Sequence, residues 1–158
     1  MTRWNQGRST VDALIASGGL ERVPASREAA EAELVRARTH VGSARQLAAT
    51  DPEGAYTLAY DAARRALAAV LQNQGLRATS RGGHTVIYEA VRAQLDRPLG
   101  SMLRPFNRMR ARRNEVEYRS SEAPAVTPEE VAGRLGEGGG APRARGEDGP
   151  EHAALLKL

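Results

Sequence analysis

The chain has 158 residues, a formal net charge of +4 and no cysteine, a length that suits one domain of about 100–150 residues with flanking segments. Without cysteine there is no disulfide frame, thiolate nucleophile or cysteine-based zinc site. The three scattered histidines (His40, His84, His152) make no metal cluster, so neither metal nor cofactor is expected. No run approaches the ~20 apolar residues of a membrane span, and the first ten residues lack the apolar stretch of a signal peptide, which points to a cytoplasmic protein.

One Phe, one Trp and four Tyr among abundant alanines favour close helix packing over a sheet, since strands prefer aromatic and β-branched residues. In chain order, Val11–Val23 reads as a short amphipathic helix or turn pair, broken at Gly18-Gly19 and closed by Pro24. A first long helix starts at the N-cap Ser26 and runs to about Ala49, with Ala30, Leu34, Ala37, Val41, Ala44 and Ala48 on one stripe. The second has Asp51 as N-cap, Pro52 in the first helical position and Gly75 after the last turn. Its wide apolar face, Leu58 to Leu71, makes it the central helix.

A polar loop, Arg77–Gly83, leads to a shorter helix opened by His84 or Thr85 and interrupted at Pro98 and Gly100. The fourth helix covers about Ser101–Arg119, with Pro105 either kinking it or marking its start. Thr127-Pro128-Glu129-Glu130 is a capping box for a last short helix. Residues 136–158, rich in Gly, Pro, Arg and acids, read as a disordered tail. The expected organisation is a flanking segment over 1–25, a helical domain over 26–135 and that tail. No strand longer than a few residues is defensible. The fold class is all-α, an up-and-down bundle of four to five helices.

Of the 23 basic residues only Lys157 is a lysine, and six arginines (Arg104, Arg108, Arg110, Arg112, Arg113, Arg119) crowd the fourth helix beside just two acids, Glu115 and Glu117. Such a cluster suits phosphates or an acidic partner. Met102, Phe106, Met109 and Val116 form that helix's apolar stripe, and Arg113 falls on it at about 100° per residue. Periodicity leaves three fates for this guanidinium: snorkelling to solvent, an interhelix ion pair with Asp61 or Glu89, or a place in a functional cleft. Arg110, Asn114 and Tyr118 lie on the adjoining strip. His84, after Gly82-Gly83, reads as a residue of helix capping and loop packing, and Arg64-Arg65 as a solvated face.

The segment Ala59-Tyr60-Asp61-Ala62-Ala63-Arg64-Arg65-Ala66-Leu67, then Gly75-Leu76-Arg77, Gly83-His84 and finally Arg112-Arg113-Asn114-Glu115-Val116-Glu117-Tyr118, resembles the HEPN family (higher eukaryotes and prokaryotes nucleotide-binding). The likeness spans about Ser26–Leu135. It implies a homodimer paired through the signature helices and a role in RNA cleavage or in a toxin–antitoxin or defence system, beside a nucleotidyltransferase antitoxin. Active members are similar in carrying Arg, four to six residues, then His, with Asn commonly after the Arg. Arg113 and Asn114 fit that pattern, whereas Tyr118 stands where the His is expected.

On this resemblance the catalytic candidates are Arg113, Asn114, Tyr118 and Glu117, with Arg104, Arg108, Arg110 and Arg112 binding nucleic acid. Arg113 would stabilise a pentavalent phosphate without a metal, and Asn114 would orient the reacting groups. A phenol with a pKa near ~10 is a poor base at neutral pH, which leaves Glu117 as an alternative. Three functions follow: an RNA-directed protein or metal-independent endoribonuclease, an inactive dimeric module that pairs with a nucleotidyltransferase or binds nucleotide, and a structural bundle whose arginines reflect codon usage.

Overall fold

The computed structural model describes residues 5–118 and 123–136. Two caps start the long helices where the sequence places them. Ser26 Oγ accepts a hydrogen bond from the Ala29 amide at 3.0 Å and opens α2 (Arg27–Leu47), and Asp51 Oδ1 accepts from the Gly54 amide at 2.9 Å and opens α3 (Pro52–Asn73). Each satisfies a backbone donor that a helix start leaves orphaned. Before them come α1 (Arg8–Ala16) and the strand β1 (Leu20–Arg22). After them come β2 (Leu76–Ala78), α4 (Gly83–Glu117) and α5 (Pro128–Leu135).

The described chain is mostly helical, in agreement with an all-α class; its sheet is one antiparallel ribbon that pairs Leu20 with Ala78 and Arg22 with Leu76. Arg77 Nε donates to Glu21 Oε1 across it at 2.9 Å. The helix expected from Val11 begins earlier, at Arg8, and beyond Gly18-Gly19 the chain is extended rather than helical. α1 packs on α4, and Leu20 is fully buried in the common core.

α4 is continuous by its hydrogen bonding, yet Arg97 interrupts it with extended backbone (φ −120°, ψ 112°). Proline disfavours the α conformation in the residue before it, and Pro98 follows. The break therefore falls at the expected Pro98, and Pro105 neither kinks nor starts a helix. The two limbs fold back on each other. Arg110 and Thr85 are 25 residues apart, about 37 Å along a straight helix, yet Arg110 Nη1 donates to Thr85 Oγ1 at 2.9 Å. Tyr88 of the first limb stacks on Phe106 of the second, ring centroids 5.4 Å apart.

α3 lies at the centre, its Ala55, Tyr56, Ala59, Tyr60, Ala62 and Leu67 all buried. Small side chains, Ala37 and Ala44 on α2 and Ala59 and Ala63 on α3, let these two helices pack closely along their length. Asp61 ties them together as well. It accepts from Arg64 Nε at 2.8 Å and Arg65 Nε at 2.7 Å, and lies 2.8 Å from His40 Nδ1 of α2; Arg65 Nη1 also reaches Glu33 at 2.9 Å. Of Arg64 and Arg65, expected on a solvated face, Arg65 instead joins α3 to α2 through Glu33, and Arg64 pairs with Asp61 within α3.

α5 starts as the capping box requires, with Thr127 Oγ1 accepting from the Glu130 amide, and buries Val131 and Leu135. Among the described residues no helix is long and apolar enough to cross a membrane. Arg119 and the expected tail from residue 137 onward lie outside the described residues.

Candidate functional site

The site is assembled by three elements that the sequence keeps far apart. At its rim, Thr79 Oγ1 donates to the Gly18 carbonyl at 2.6 Å, and the Thr79 amide donates to the Gly19 carbonyl. This clamp presses Gly82 so close to Gly19 that a Cβ on Gly82 would stand 2.3 Å from the Gly19 oxygen. Only glycine allows that approach. Gly83 then turns through φ +54° and delivers His84 at the start of α4.

His84 Nδ1 lies 3.1 Å from the Tyr60 hydroxyl of α3, and the two rings are tilted at 5.8 Å. Tyr60 also stacks on Phe106 at 5.3 Å. From the second limb of α4, the Arg113 guanidinium carbon sits 5.9 Å from the Tyr60 ring centroid, within the range of cation–π attraction. Tyr60 thus stands between His84 and Arg113 and touches both.

Arg113 is 21 % exposed, pairs with the Glu117 carboxylate one turn on, and keeps its Nε–H buried with no hydrogen-bond partner. Of the fates that periodicity left open, free solvation and a bridge to Asp61 or Glu89 are both set aside. A buried donor left unpaired costs about 1–3 kcal/mol and calls for an explanation.

The electrostatics follow from this crowding. Burial, then the Arg64 and Arg113 charges, push the His84 pKa below its ordinary value, against weaker opposing effects of Asp61 and Glu117. Burial raises the Tyr60 hydroxyl, which the nearby arginines only partly offset. The site therefore presents a neutral phenol and an easily deprotonated imidazole beside a fixed cation. That combination can hold an oxyanion and move a proton.

The other expected residues divide. Glu117 belongs to the site through Arg113, and Arg110 borders it through Thr85 and Asn107. Asn114 is exposed. Tyr118 is 77 % exposed and, five residues on, projects about 140° around the helix from Arg113, so the two do not share one cleft. Arg112 turns the other way. At 16 % exposure it donates to both oxygens of Glu130, to Glu115 and to the Pro124 carbonyl, which makes it a tether for α5 rather than an open phosphate ligand. Arg104 and Arg108 are exposed on the outer face.

His84 and Tyr60 were not among the expected site residues. The one local signal was a histidine straight after two glycines at a helix start, a pattern that capping and loop packing explain better than a site does. Arg64, whose charge reaches His84, also lines a groove of about 190 Å³ together with Glu33, Arg65, Gln72 and Arg77. Among the described residues no group of His, Asp or Glu is arranged to hold a metal ion. Comparison with known protein families, curated proteins and solved structures finds no match to this chain.

Proposed function

We propose that this chain is a HEPN-type, RNA-directed cytoplasmic protein, an up-and-down bundle whose seam at Arg113 takes a phosphate of an RNA backbone. The observation that carries the proposal is the buried, unpartnered Nε–H of Arg113, on a guanidinium held against Tyr60. The Arg113 side chain is 21 % exposed, and a phosphate on its open edge would neutralise the charge. The neighbouring arginines, Arg110 at the rim and Arg64 toward the side groove, would guide the rest of the strand. Pairing of two chains through the second limbs of α4, as the resemblance implies, would place two such seams along one RNA. A component of a toxin–antitoxin or defence system is the corresponding biological role.

One observation favours a second reading. Tyr118 stands exposed at the end of α4, a position open to a nucleotidyltransferase partner of an inactive, dimeric binding module. Co-purification with such a partner, in the absence of any RNA affinity, would select this reading.

The test is fluorescence anisotropy with a labelled single-stranded RNA across a salt series. The wild type is expected to bind with a negative salt slope. Arg113→Ala should weaken binding about tenfold and reduce the slope by about one, as loss of one phosphate contact predicts. Equal affinity and slope in the two proteins would overturn the proposal.

A further inference from the structure

We infer that the side groove between α3, β2 and the first limb of α4 binds a short-chain aliphatic carboxylate, its charged group on Arg64, Arg65 and Arg77 and its hydrocarbon body on Leu71 and Ile87. The inference does not rest on the reading of the Arg113 seam.

The geometry starts from one acid. Asp61 stands three and four residues before Arg64 and Arg65, so all three share one face of α3. Its carboxylate accepts from Arg64 Nε at 2.8 Å, from Arg65 Nε at 2.7 Å and from Arg64 Nη2 as well. Arg65 Nη1 reaches Glu33 at 2.9 Å, and on β2 Arg77 Nε donates to Glu21 at 2.9 Å. Each guanidinium is thus fixed through its Nε edge. Among the described residues, Arg64 Nη1, Arg65 Nη2 and both Nη atoms of Arg77 have no acceptor. Arg64 and Arg65 line the groove at only 19 % and 22 % exposure. Their donors are therefore held in place before a ligand arrives, which lowers the ordering cost of binding.

Charge sets the valence of the ligand. Around the groove, Arg36, Arg64, Arg65 and Arg77 pair with Glu21, Glu33 and Asp61, four cations against three anions with His40 counted as neutral. One positive charge is left over, and a singly charged carboxylate neutralises it. A dianion would set a further, uncompensated charge against an apolar wall. The planar carboxylate also matches the guanidinium fork.

Size and lining set the rest. Leu71, Leu76 and Ile87 form a buried apolar floor, which a hydrocarbon chain would cover from water. The groove holds about 190 Å³, below the roughly 300–1,000 Å³ of sites for drug-sized ligands. A nucleotide is too large and too polar for it. A few carbons fit.

Isothermal titration calorimetry of the full chain with sodium hexanoate, beside acetate, hexanamide and inorganic phosphate, tests the inference. Hexanoate should bind. Acetate, which lacks the body, and hexanamide, which lacks the charge, should each bind at least about tenfold more weakly, and phosphate should be weaker too. Arg77→Gln, at a rim position 57 % exposed, should weaken hexanoate about tenfold, as loss of one charge-assisted hydrogen bond predicts. Arg27→Gln, exposed at the start of α2, should leave the affinity unchanged.

No binding of hexanoate, hexanoate no tighter than acetate or hexanamide, or tighter binding of phosphate would each overturn the inference. Equal affinity of the wild type and Arg77→Gln would do the same. Should that variant not fold, methyl NMR of the wild type decides: hexanoate must shift the Leu71 and Ile87 signals, and shifts confined to other methyls overturn the assignment. RNA affinity is measured separately. RNA binding without hexanoate binding sinks this inference alone, and hexanoate binding without RNA binding sinks the phosphate seam alone.

Discussion

Arg113 carries a full charge into a partly buried seam, and every contact it makes answers the cost of doing so. Glu117 balances the charge and the Tyr60 face receives the guanidinium. An ion pair this exposed contributes about 0–1 kcal/mol to folding, so Glu117 matters more as a competitor of the proposed phosphate. Glu117→Gln is expected to tighten RNA binding several-fold in the anisotropy assay; weaker binding would contradict that competition.

His84 gives a second expectation at this scale, with a definite sign. Its folded pKa lies below the unfolded value of about 6.5. The unfolded chain therefore binds more protons between the two values. The contribution to stability is complete above about 6.5 and is lost as pH falls through that window. Thermal melts should show Tm falling across it, and His84→Gln should flatten that slope. Asp61, held low by Arg64 and Arg65 against the effect of its burial, titrates in a separate window at lower pH. Its contribution is lost only as pH falls from its unfolded value, about 3.9, toward the lowered folded value.

At the scale of elements, the signals that start and stop helices operate locally and were met where they stand. Ser26, Asp51 and Thr127 each place an oxygen three residues ahead of an orphaned amide. The reversal of α4 at Arg97 likewise follows from a neighbour's ring. What docks the short α5 is long-range: Arg112, 18 residues before its partner Glu130, reaches over to it. Arg112→Ala should destabilise the fold by about 1–2 kcal/mol, less than the 3–5 typical of a fully buried pair because Glu130 is partly exposed. Urea unfolding measures it. A double variant with Glu130→Ala should recover part of the loss, and additive losses would refute the tether.

For the whole molecule, the shortage of large side chains concentrates the core on a few of them. Tyr60, Tyr88 and Phe106 form one stack that joins α3 to both limbs of α4. Phe106→Ala is expected to cost about 3–5 kcal/mol and, by releasing Tyr60, to raise the exposure of His84. Unfolding curves and the His84 NMR signal report the two effects together, and loss of stability with an unmoved His84 signal would show the stack to be independent of the site.

Composition and periodicity by themselves determined that this chain is helical, where its long helices begin, which one is central and that the charged Arg113 falls on the apolar stripe of its helix. Each depends on residues within a turn or two of one another, and a linear pattern records such relations in full. The tertiary structure alone decided which partners these residues meet. Arg112 and Arg113 are adjacent in sequence, yet 100° of helical rotation sends one to Glu130 and the other to Tyr60. Tyr118 was expected to act with Arg113 on the basis of the resemblance, and five residues of helix carry it about 140° around the axis, to an exposed position. His84 and Tyr60 stand 24 residues apart and come together because Gly82 packs against Gly19 and α4 doubles back. Contacts of that range depend on how the helices pack, and packing is a property of the folded chain as a whole.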